Sequence, residues 1–313
     1  MPAFALISFP ILGLMIFAAL GPVRGLIWTT VVGYLFLPED YGFEISGLPD
    51  FDKRMAVTVA LGLGVMLFHK VRSDEAPPPP VTEDKLFQRL LVCCLVILLL
   101  GPLMTILDNQ GALVDAGRVR RGLGWRDLVS MTSTTAFTLI PFFLARRWLS
   151  GPEQQRQLLL AIVVMGMIYT LFVLFELRMS PQLNNWVYGY FPHSWRQHLR
   201  GGGYRPIVFL QHGLWLGFFL FMVTMSAFTL FRGTPAAWRG MFLLAGGWVL
   251  VVLIMSRNLG ASALAILMVP LLMLAGARIQ ARVAAIVAVL FLAFPLLRQA
   301  ELVPVNSMVV QIE

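Results

Sequence analysis

The chain has 313 residues, of which 58% are hydrophobic and 13% charged, and its formal net charge is +8. Apolar runs of about 20 residues, the length that crosses a hydrocarbon core, recur from one end of the sequence to the other. The hydrophilic stretches between them are too short to fold alone, which excludes a water-soluble protein of two domains. The composition predicts an all-α, polytopic membrane protein with a single domain over 1–313. Its expected partner is a membrane and no nucleic acid.

Hydropathy and helix-breaking residues predict a bundle of about ten transmembrane helices. They are expected near 3–20, 24–37, 55–69, 90–107, 126–145, 157–176, 206–230, 240–255, 259–277 and 282–297. The second is short, which is compatible with a helix that tilts poorly or with one that pairs with the first as a hairpin. The first has no basic segment before it and no cleavage site after it, as expected of a retained helix rather than a signal peptide.

The loops predict an orientation. Three short loops carry basic residues beside helix ends, which is typical of cytoplasmic loops: Arg146, Arg147 and Arg156; Arg232 and Arg239; Arg278 and Arg282. A linker at 71–88 lies on the same side, and its four consecutive prolines at 77–80 predict an extended surface segment. The opposite, periplasmic side then holds an acidic segment at 39–54 and an outer loop at 177–205.

The predicted outer side is rich in arginine, although outer loops are usually poor in basic residues. The arginines expected there are Arg118, Arg120, Arg121, Arg126, Arg178, Arg196, Arg200, Arg205 and Arg257. A general preference for arginine, 21 residues against 3 lysines, explains the residue type but not its location. Because guanidinium binds phosphate oxygens through two parallel hydrogen bonds, the pattern predicts an anionic ligand on this face.

The outer loop at 177–205 mixes aromatic rings with arginine and with His193 and His198. Aromatic residues at this depth serve either as interfacial anchors or as a surface that stacks on sugar rings, and the sequence leaves both open. The two histidines can approach a substrate or lie solvated on the surface. Three glycines at 201–203 predict a tight backbone turn beside a ligand or a hinge before the next helix.

Two stretches, RPIVFLQHGLWLG from Arg205 and MSRNLGA from Met255, resemble motifs of the O-antigen ligase and O-antigen polymerase superfamily. In that family an arginine opens a helix at the outer face with a glycine further on, and Ser-Arg-Gly lies between two helices. Asn258 stands here where the family has the glycine. Members also carry a large outer loop with a histidine implicated in catalysis, and this chain reaches Glu313 about where that loop would begin. A fragment and a reduced member are both compatible with this length.

The resemblance implies a membrane glycan ligase or polymerase in the bacterial inner membrane, with its active face in the periplasm. The implied donor is a glycan carried on polyprenyl diphosphate. A hydroxyl of a lipid or sugar acceptor would attack the anomeric carbon with inversion, and lipid diphosphate would leave. Fixed arginines can stabilise that leaving group, so no metal and no other cofactor is expected.

Candidate site residues follow from this reading. Arg205 and Arg257 are expected on the diphosphate, with Arg200 or Arg178 as secondary contacts. Glu176 is a candidate general base, and an ion pair with an arginine is its alternative role.

His212 is the second catalytic candidate. As part of a helix it would lie about two turns, roughly 10 Å, below Arg205, where it could meet a ligand or simply pack. Two other functions remain open for the whole chain, a transporter of lipid-linked saccharide and a noncatalytic membrane partner. A transporter would typically show internal repeats, and the sequence has no convincing one.

Overall fold

The computed structural model describes residues 1–43, 50–69, 85–115, 118–193, 195–200 and 202–299, and the side chains at 113–120, 195, 196, 200, 296 and 299 fall outside that description. The helices are α1 (Pro2–Phe36), α2 (Lys53–Phe68), α3 (Lys85–Asp108), α4 (Trp125–Trp148), α5 (Pro152–Met179), α6 (Leu183–Tyr188), a 3-10 turn (Trp195–His198), α7 (Gly213–Gly233), α8 (Ala236–Met255), α9 (Leu259–Leu274) and α10 (Ala277–Gln299). The predicted all-α class is therefore confirmed over the described residues.

Short antiparallel hairpins close three of the connections. They pair β1 (Gly42–Phe43) with β2 (Phe51–Asp52), β3 (Leu113–Asp115) with β4 (Arg118–Arg120), and β5 (Leu199–Arg200) with β6 (Gly203–Tyr204). Each strand has only two or three residues, so these hairpins are parts of loops and do not form a sheet layer.

Within the described ranges, seven helices are long and apolar enough to cross a membrane, namely α1, α3, α4, α5, α7, α8 and α10. The apolar helix α9 is shorter, and α2 has 16 residues. Because several such helices follow one another, the chain is a multi-pass membrane protein.

Helix α1 is interrupted at Gly21, whose φ of 81° lies in the region that favours glycine. The two halves pack against each other in an antiparallel manner. A Cβ built on Gly33 would lie 2.7 Å from the Phe9 ring, and one built on Gly25 would lie 2.7 Å from the Phe17 ring. These glycines allow the close approach, and the predicted hairpin of the first two helices is confirmed.

Most predicted helices lie inside the observed ones, which extend a few residues further into polar sequence. Hydropathy misses such ends because straight-chain polar residues are good helix formers. The predicted linker at 71–88 is wrong at its end, since α3 begins at Lys85, and its prolines lie outside the described residues. The loop predicted at 177–205 begins too early, because α5 continues to Met179. The observed loop contains α6 and the β5–β6 hairpin.

The described residues show which loops share an end of the bundle. Arg232 donates to the carbonyls of Leu272 and Ala275, at 3.1 Å to Ala275, which joins the ends of α7 and α9. A cavity of ≈ 200 Å³ lined by Arg156 and Thr234 places the start of α5 at the same end, which we call the basic end. The opposite end, where α5 and α8 finish and α7 and α9 begin, is called the site end.

The two largest of three apolar clusters among the described residues connect the helices around the site end. The larger lies between α5, α7, α8 and α9, where Val173, Leu220 and Leu253 are fully buried. The second packs the α1 hairpin against α2 around Phe17 and Ala60. Both clusters reach the site end, so the polar residues there rest on a packed base.

Candidate functional site

Residues 205–212 form a non-helical stretch at the site end that is buried from 205 to 210, and we call it the buried loop. The helix predicted to begin at residue 206 is wrong over this stretch, because α7 begins at Gly213. Pro206 has no N–H to donate and disfavours helical backbone at the residue before it. Backbone outside a helix at membrane depth must find other hydrogen-bond partners inside the protein.

Glu176 supplies those partners for the buried loop. Its Oε2 accepts hydrogen bonds from the backbone N–H groups of Ile207, at 2.9 Å, and Val208, at 2.7 Å. Its Oε1 accepts one from Leu183 at 3.1 Å, at the start of α6. The side chain is 0% exposed. Glu176 therefore ties α5, α6 and the buried loop together, a positioning role that neither predicted role, base or ion-pair partner, included.

Tyr169 makes a second connection to the buried loop. Its hydroxyl donates to the carbonyl of Leu35 on α1 at 3.0 Å and accepts from the N–H of Phe209 at 3.3 Å. Sequence reasoning missed this residue. The available signal was a tyrosine inside an apolar run, since a buried hydroxyl usually finds a partner.

Arg205 points into the protein and not toward lipid, since it is 3% exposed. Its Nε donates to Oδ1 of Asn258 at 2.9 Å, and its Nη2 donates to the same oxygen. A Cβ on Gly213 would lie 2.5 Å from Arg205 Nε, so glycine at the start of α7 leaves room for this side chain. Arg205 thus reaches from the buried loop to the connection between α8 and α9.

Arg257 lies beside Asn258 in that connection and is half-buried. Its guanidinium lies against Gly203 of β6, where a Cβ would be 2.6 Å from Arg257 Cζ. Its φ of 58° is unusual for a residue with a side chain, and such backbone strain clusters at functional sites. The structure therefore brings together the neighbourhoods of the two arginines expected to share one ligand.

Asn258 is a residue that sequence reasoning noted only as a departure from the family glycine. Its φ of −94° requires no glycine, and its Nδ2 donates to Ser256 Oγ at 2.9 Å while its Oδ1 accepts from Arg205. A Cβ on Gly217 would lie 2.8 Å from Asn258 Cγ. The glycine further along the first motif therefore leaves space for the side chain that receives Arg205.

Three histidines cluster beside the buried loop. The ring centroids of His193 and His212 are 4.7 Å apart, and His198 lies 5.8 Å from His212 and 6.0 Å from His193. The surface location considered for His198 is wrong, since its side chain is fully buried.

The His198 ring is held on one side only. Its Nδ1 donates to the Arg205 carbonyl at 3.1 Å, and its Nε2 has no hydrogen-bond partner among the described residues. Burial, together with the charges of His212, His193 and Arg205, lowers the pKa of His198 to about 4. The ring is therefore neutral near pH 7.

His212 does not lie on a helix two turns below Arg205, as predicted, because the residues between them are non-helical. Instead it is the N-cap of α7, where its Nδ1 accepts from the N–H of Leu214 at 3.1 Å. Its Nε2 lies 3.3 Å from Gln197 Oε1 and donates to it in this tautomer. His212 thus links the start of α7 to the outer loop.

Arg178 and Arg200 are the two arginines predicted as secondary contacts. The contacts of the described residues do not place either of them in this cluster. Arg178 is exposed on the last turn of α5, about 200° around the helix from the direction of Glu176. The backbone of Arg200 pairs with Gly203 across the turn at Gly202, whose φ is 73°, but the Arg200 side chain lies outside the described residues.

The expectation that the chain binds no metal overlooks one pair of carboxylates, in the Asp-Phe-Asp stretch at 50–52. Asp52 caps α2, since its Oδ1 accepts from Met55 N at 2.9 Å. Within the described ranges, no three His, Cys, Asp or Glu residues come together as a group that could hold a metal ion.

The site end therefore concentrates hydrogen-bond donors, two guanidinium groups and three imidazole rings, around one short hairpin and the buried loop. Such fixed donors can bind a phosphate group or stabilise a leaving group that gains negative charge. The chain matches no protein-family model, no curated protein and no solved structure. The geometry and chemistry of this site are thus the basis for a functional hypothesis.

Proposed function

We propose that the chain is a membrane glycosyltransferase of the O-antigen ligase or polymerase type, which transfers a glycan from polyprenyl diphosphate to a hydroxyl of a lipid or sugar acceptor. One observation carries the proposal. Arg205 binds Asn258, 53 positions away, and Arg257 lies against Gly203, so the two motifs that suggested the family are in mutual contact. A shared ligand is a physical reason for a buried and a half-buried arginine to lie at the same connection between α8 and α9.

The proposed donor site combines a buried and a more accessible arginine. Asn258 fixes the orientation of Arg205, while the half-buried Arg257 can reach a ligand at the surface of the cluster. Each charge-assisted hydrogen bond to a diphosphate contributes about 1.5–3 kcal/mol. When the acceptor oxygen bonds to the anomeric carbon, the bond from that carbon to the diphosphate oxygen breaks. The arginines would stabilise the charge that the diphosphate gains.

The two proposed catalytic bases already have structural tasks. Glu176 accepts three backbone N–H groups, and His212 accepts one at the start of α7. Either residue would have to give up one of these hydrogen bonds to take the acceptor proton. We therefore propose that both act first as positioning residues, and that a base role is secondary.

We propose a ten-span bundle in a bacterial inner membrane as the setting for this reaction. The two halves of α1 are counted separately, and the shorter α2 and α9 are included. The basic end would face the cytoplasm and the site end the periplasm, because short loops with basic residues beside helix ends are typical of the cytoplasmic side. Labelling of a cysteine at position 232 by an impermeant reagent in intact cells would contradict this orientation.

Transfer itself can be tested in a bacterial host that lacks its own ligase and polymerase. We expect expression of the chain to yield new surface glycan on a gel, as a single modified band for ligation or a ladder for polymerisation. Arg257→Ala should abolish that product without reducing membrane insertion. Arg156→Ala, the same change at the basic end, is the matched control and should keep it. Full transfer by Arg257→Ala would remove this residue from the proposed site.

A transporter of lipid-linked saccharide is the second candidate, and the buried loop is the observation that favours it. Transporters commonly place non-helical backbone between helices at their substrate site. Proteoliposomes containing a fluorescent lipid-linked saccharide separate the functions. Movement between leaflets without an acceptor indicates transport, whereas release of lipid diphosphate in the presence of acceptor indicates transfer. A noncatalytic partner would do neither.

A further inference from the structure

A cavity of ≈ 320 Å³ lies at the site end, between the end of α1, the start of α2 and the middle of α4. The proposed donor site does not use it. Its wall is polar and carries both signs of charge, with Glu39, Asp50, Lys53, Arg54, Ser130 and Thr134 among the lining residues. The chemistry of this wall indicates which class of ligand the cavity suits.

Part of the wall is fixed by contacts within the protein. Lys53 is buried and forms an ion pair with Glu39 at 2.9 Å, and Asp52 caps α2. Asp50 and Arg54 are exposed, and within the described part of the chain neither side chain makes a hydrogen bond or an ion pair. The cavity therefore offers one carboxylate and one guanidinium to a ligand on a preformed frame.

The hydroxyl groups of Ser130 and Thr134 add uncharged hydrogen-bonding groups to the cavity wall. Thr134 Oγ1 donates to the Ser130 carbonyl at 2.9 Å, so its oxygen lone pairs remain able to accept. The ring of Tyr41 also lines the cavity and provides a flat apolar face.

Two ligand classes fit this wall poorly. Four carboxylates, Asp40 included, face two cations, so a diphosphate would meet net repulsion. A divalent cation needs several oxygen ligands converging on one point, and no such group occurs among the described residues. Carboxylates, a guanidinium and hydroxyls spread around a wall instead match a ring whose hydroxyls point in several directions, and ≈ 320 Å³ is at the small end of ligand cavities.

The cavity shares a wall with the buried loop. The Asp40 carboxylate accepts from Gln211 Nε2 at 2.8 and 3.0 Å, and Gln211 precedes His212. The hydroxyl of Tyr190, from the outer loop, donates to the Glu39 carbonyl. Residues 39 and 40 thus separate the cavity on one side from the arginine and histidine cluster on the other.

We propose that this cavity binds a sugar, a neutral polyhydroxylated ring held by Asp50, Arg54 and Thr134. The inference rests on the proposed function only in assigning this sugar to the acceptor, because residues 39 and 40 make the cavity a neighbour of the arginine and histidine cluster. Binding itself requires no catalytic activity.

The test uses the full chain in lipid nanodiscs and saturation-transfer NMR with methyl hexosides and methyl N-acetylhexosaminides as probes. We expect at least one probe to bind the wild type. Asp50→Asn and the isosteric Thr134→Val should each weaken that binding about tenfold or more, as expected for loss of a hydrogen bond to a charged or buried group. Glu153→Gln, an exposed carboxylate at the basic end, is the control and should leave binding unchanged.

Two results would overturn the inference: neither a methyl hexoside nor a methyl N-acetylhexosaminide binds the wild type, or Asp50→Asn and Thr134→Val bind the probe as well as the wild type does. Farnesyl diphosphate, measured in parallel, separates this inference from the proposed function. If the wild type binds farnesyl diphosphate but no sugar probe, only the assignment of the cavity is contradicted. The reverse outcome contradicts the donor site and leaves the sugar cavity in place.

Discussion

Helices α7 and α10 have similar lengths and are both apolar enough to cross a membrane, yet they pack differently. In the most apolar 18-residue stretch of each helix, 56% of the residues of α7 are buried inside the protein, whereas none of those of α10 is buried. Leu220 of α7 is 0% exposed, and Phe291 of α10 is 78% exposed. Hydropathy thus identifies segments that enter a membrane, but only packing shows which of them form the framework of a site and which face outward.

The polar residues of the two regions differ in the same way. On the little-buried α4, Thr135 and Thr138 donate to carbonyls one turn back, at 2.9 and 3.0 Å. These hydrogen bonds are local and satisfy each hydroxyl without help from other helices. At the site end, Glu176, Tyr169 and Arg205 bind groups 31 or more positions away. These three side chains therefore join parts of the chain that are distant in sequence, which the two threonines of α4 do not.

Removing Glu176 should give the largest effect. Glu176→Ala leaves three buried N–H groups without an acceptor, at about 1–3 kcal/mol each, so we expect a loss of at least about 3 kcal/mol in the free energy of unfolding. Thermal unfolding in detergent measures it. If Glu176 served only as a base, the variant would lose transfer activity while unfolding at the wild-type temperature, and the positioning role would be wrong.

The contrast between α7 and α10 predicts a matched pair of variants. Leu220→Ala should lower the free energy of unfolding by about 2–5 kcal/mol, because it leaves a cavity in the core. Phe291→Ala should change it by less than about 0.5 kcal/mol, because its side chain has few protein contacts to lose. Guanidinium or detergent titration of both variants checks the pair. Equal losses would mean that α10 is packed against protein and not against lipid.

Arg205→Lys tests whether the guanidinium geometry matters. Lysine cannot donate to Asn258 from Nε and Nη2 at once, so we expect transfer to fall about 100-fold, or about 2.7 kcal/mol. Initial rates of glycan transfer in membranes provide the measurement, with Arg156→Lys at the basic end as control. A neutral result would show that any cation suffices at position 205 and that the two hydrogen bonds from its guanidinium are not needed for transfer.

His198 predicts a dependence of stability on pH. Its folded pKa of about 4 lies below the ordinary value of 6.5, so between these values the unfolded state binds the proton and the folded state does not. The contribution is complete above about pH 6.5 and is lost as pH falls toward 4, by up to about 2 kcal/mol between pH 6.5 and 5.

Thermal unfolding of the wild type and two variants across that range measures this loss. His198→Gln should flatten the slope, whereas His69→Gln, at an exposed histidine at the end of α2, should leave it intact. Parallel slopes for the wild type and His198→Gln would rule out His198 as the source.

The helices were largely predictable because their signal is local. Apolar runs located α8 and α9 to within a few residues, and a short second segment correctly indicated the α1 hairpin. The buried loop was not predictable from its own residues, since apolar positions 207–210 continue the hydropathy of α7. Its conformation depends on Glu176, more than 30 positions away in the sequence. Partners at that separation leave no mark on local periodicity.

The site was predictable only where a motif marked it. Arg205 and Arg257 were selected as a pair, and the structure places their surroundings in contact. Asn258, which connects them, was noted only as an atypical residue, and His212 was placed on a helix that does not exist there. Both misses arise because side-chain roles at helix ends depend on cap geometry, which hydropathy does not report.

If the Arg205 and Arg257 motifs form one diphosphate site, farnesyl diphosphate should bind the full chain in nanodiscs, and phosphorus NMR during a titration measures that binding. We predict saturable binding by the wild type. Arg257→Ala should weaken it at least about tenfold, as loss of one charge-assisted hydrogen bond implies, while Arg156→Ala should bind like the wild type. Equal affinity in the wild type and Arg257→Ala, or no binding at all, would contradict the claim.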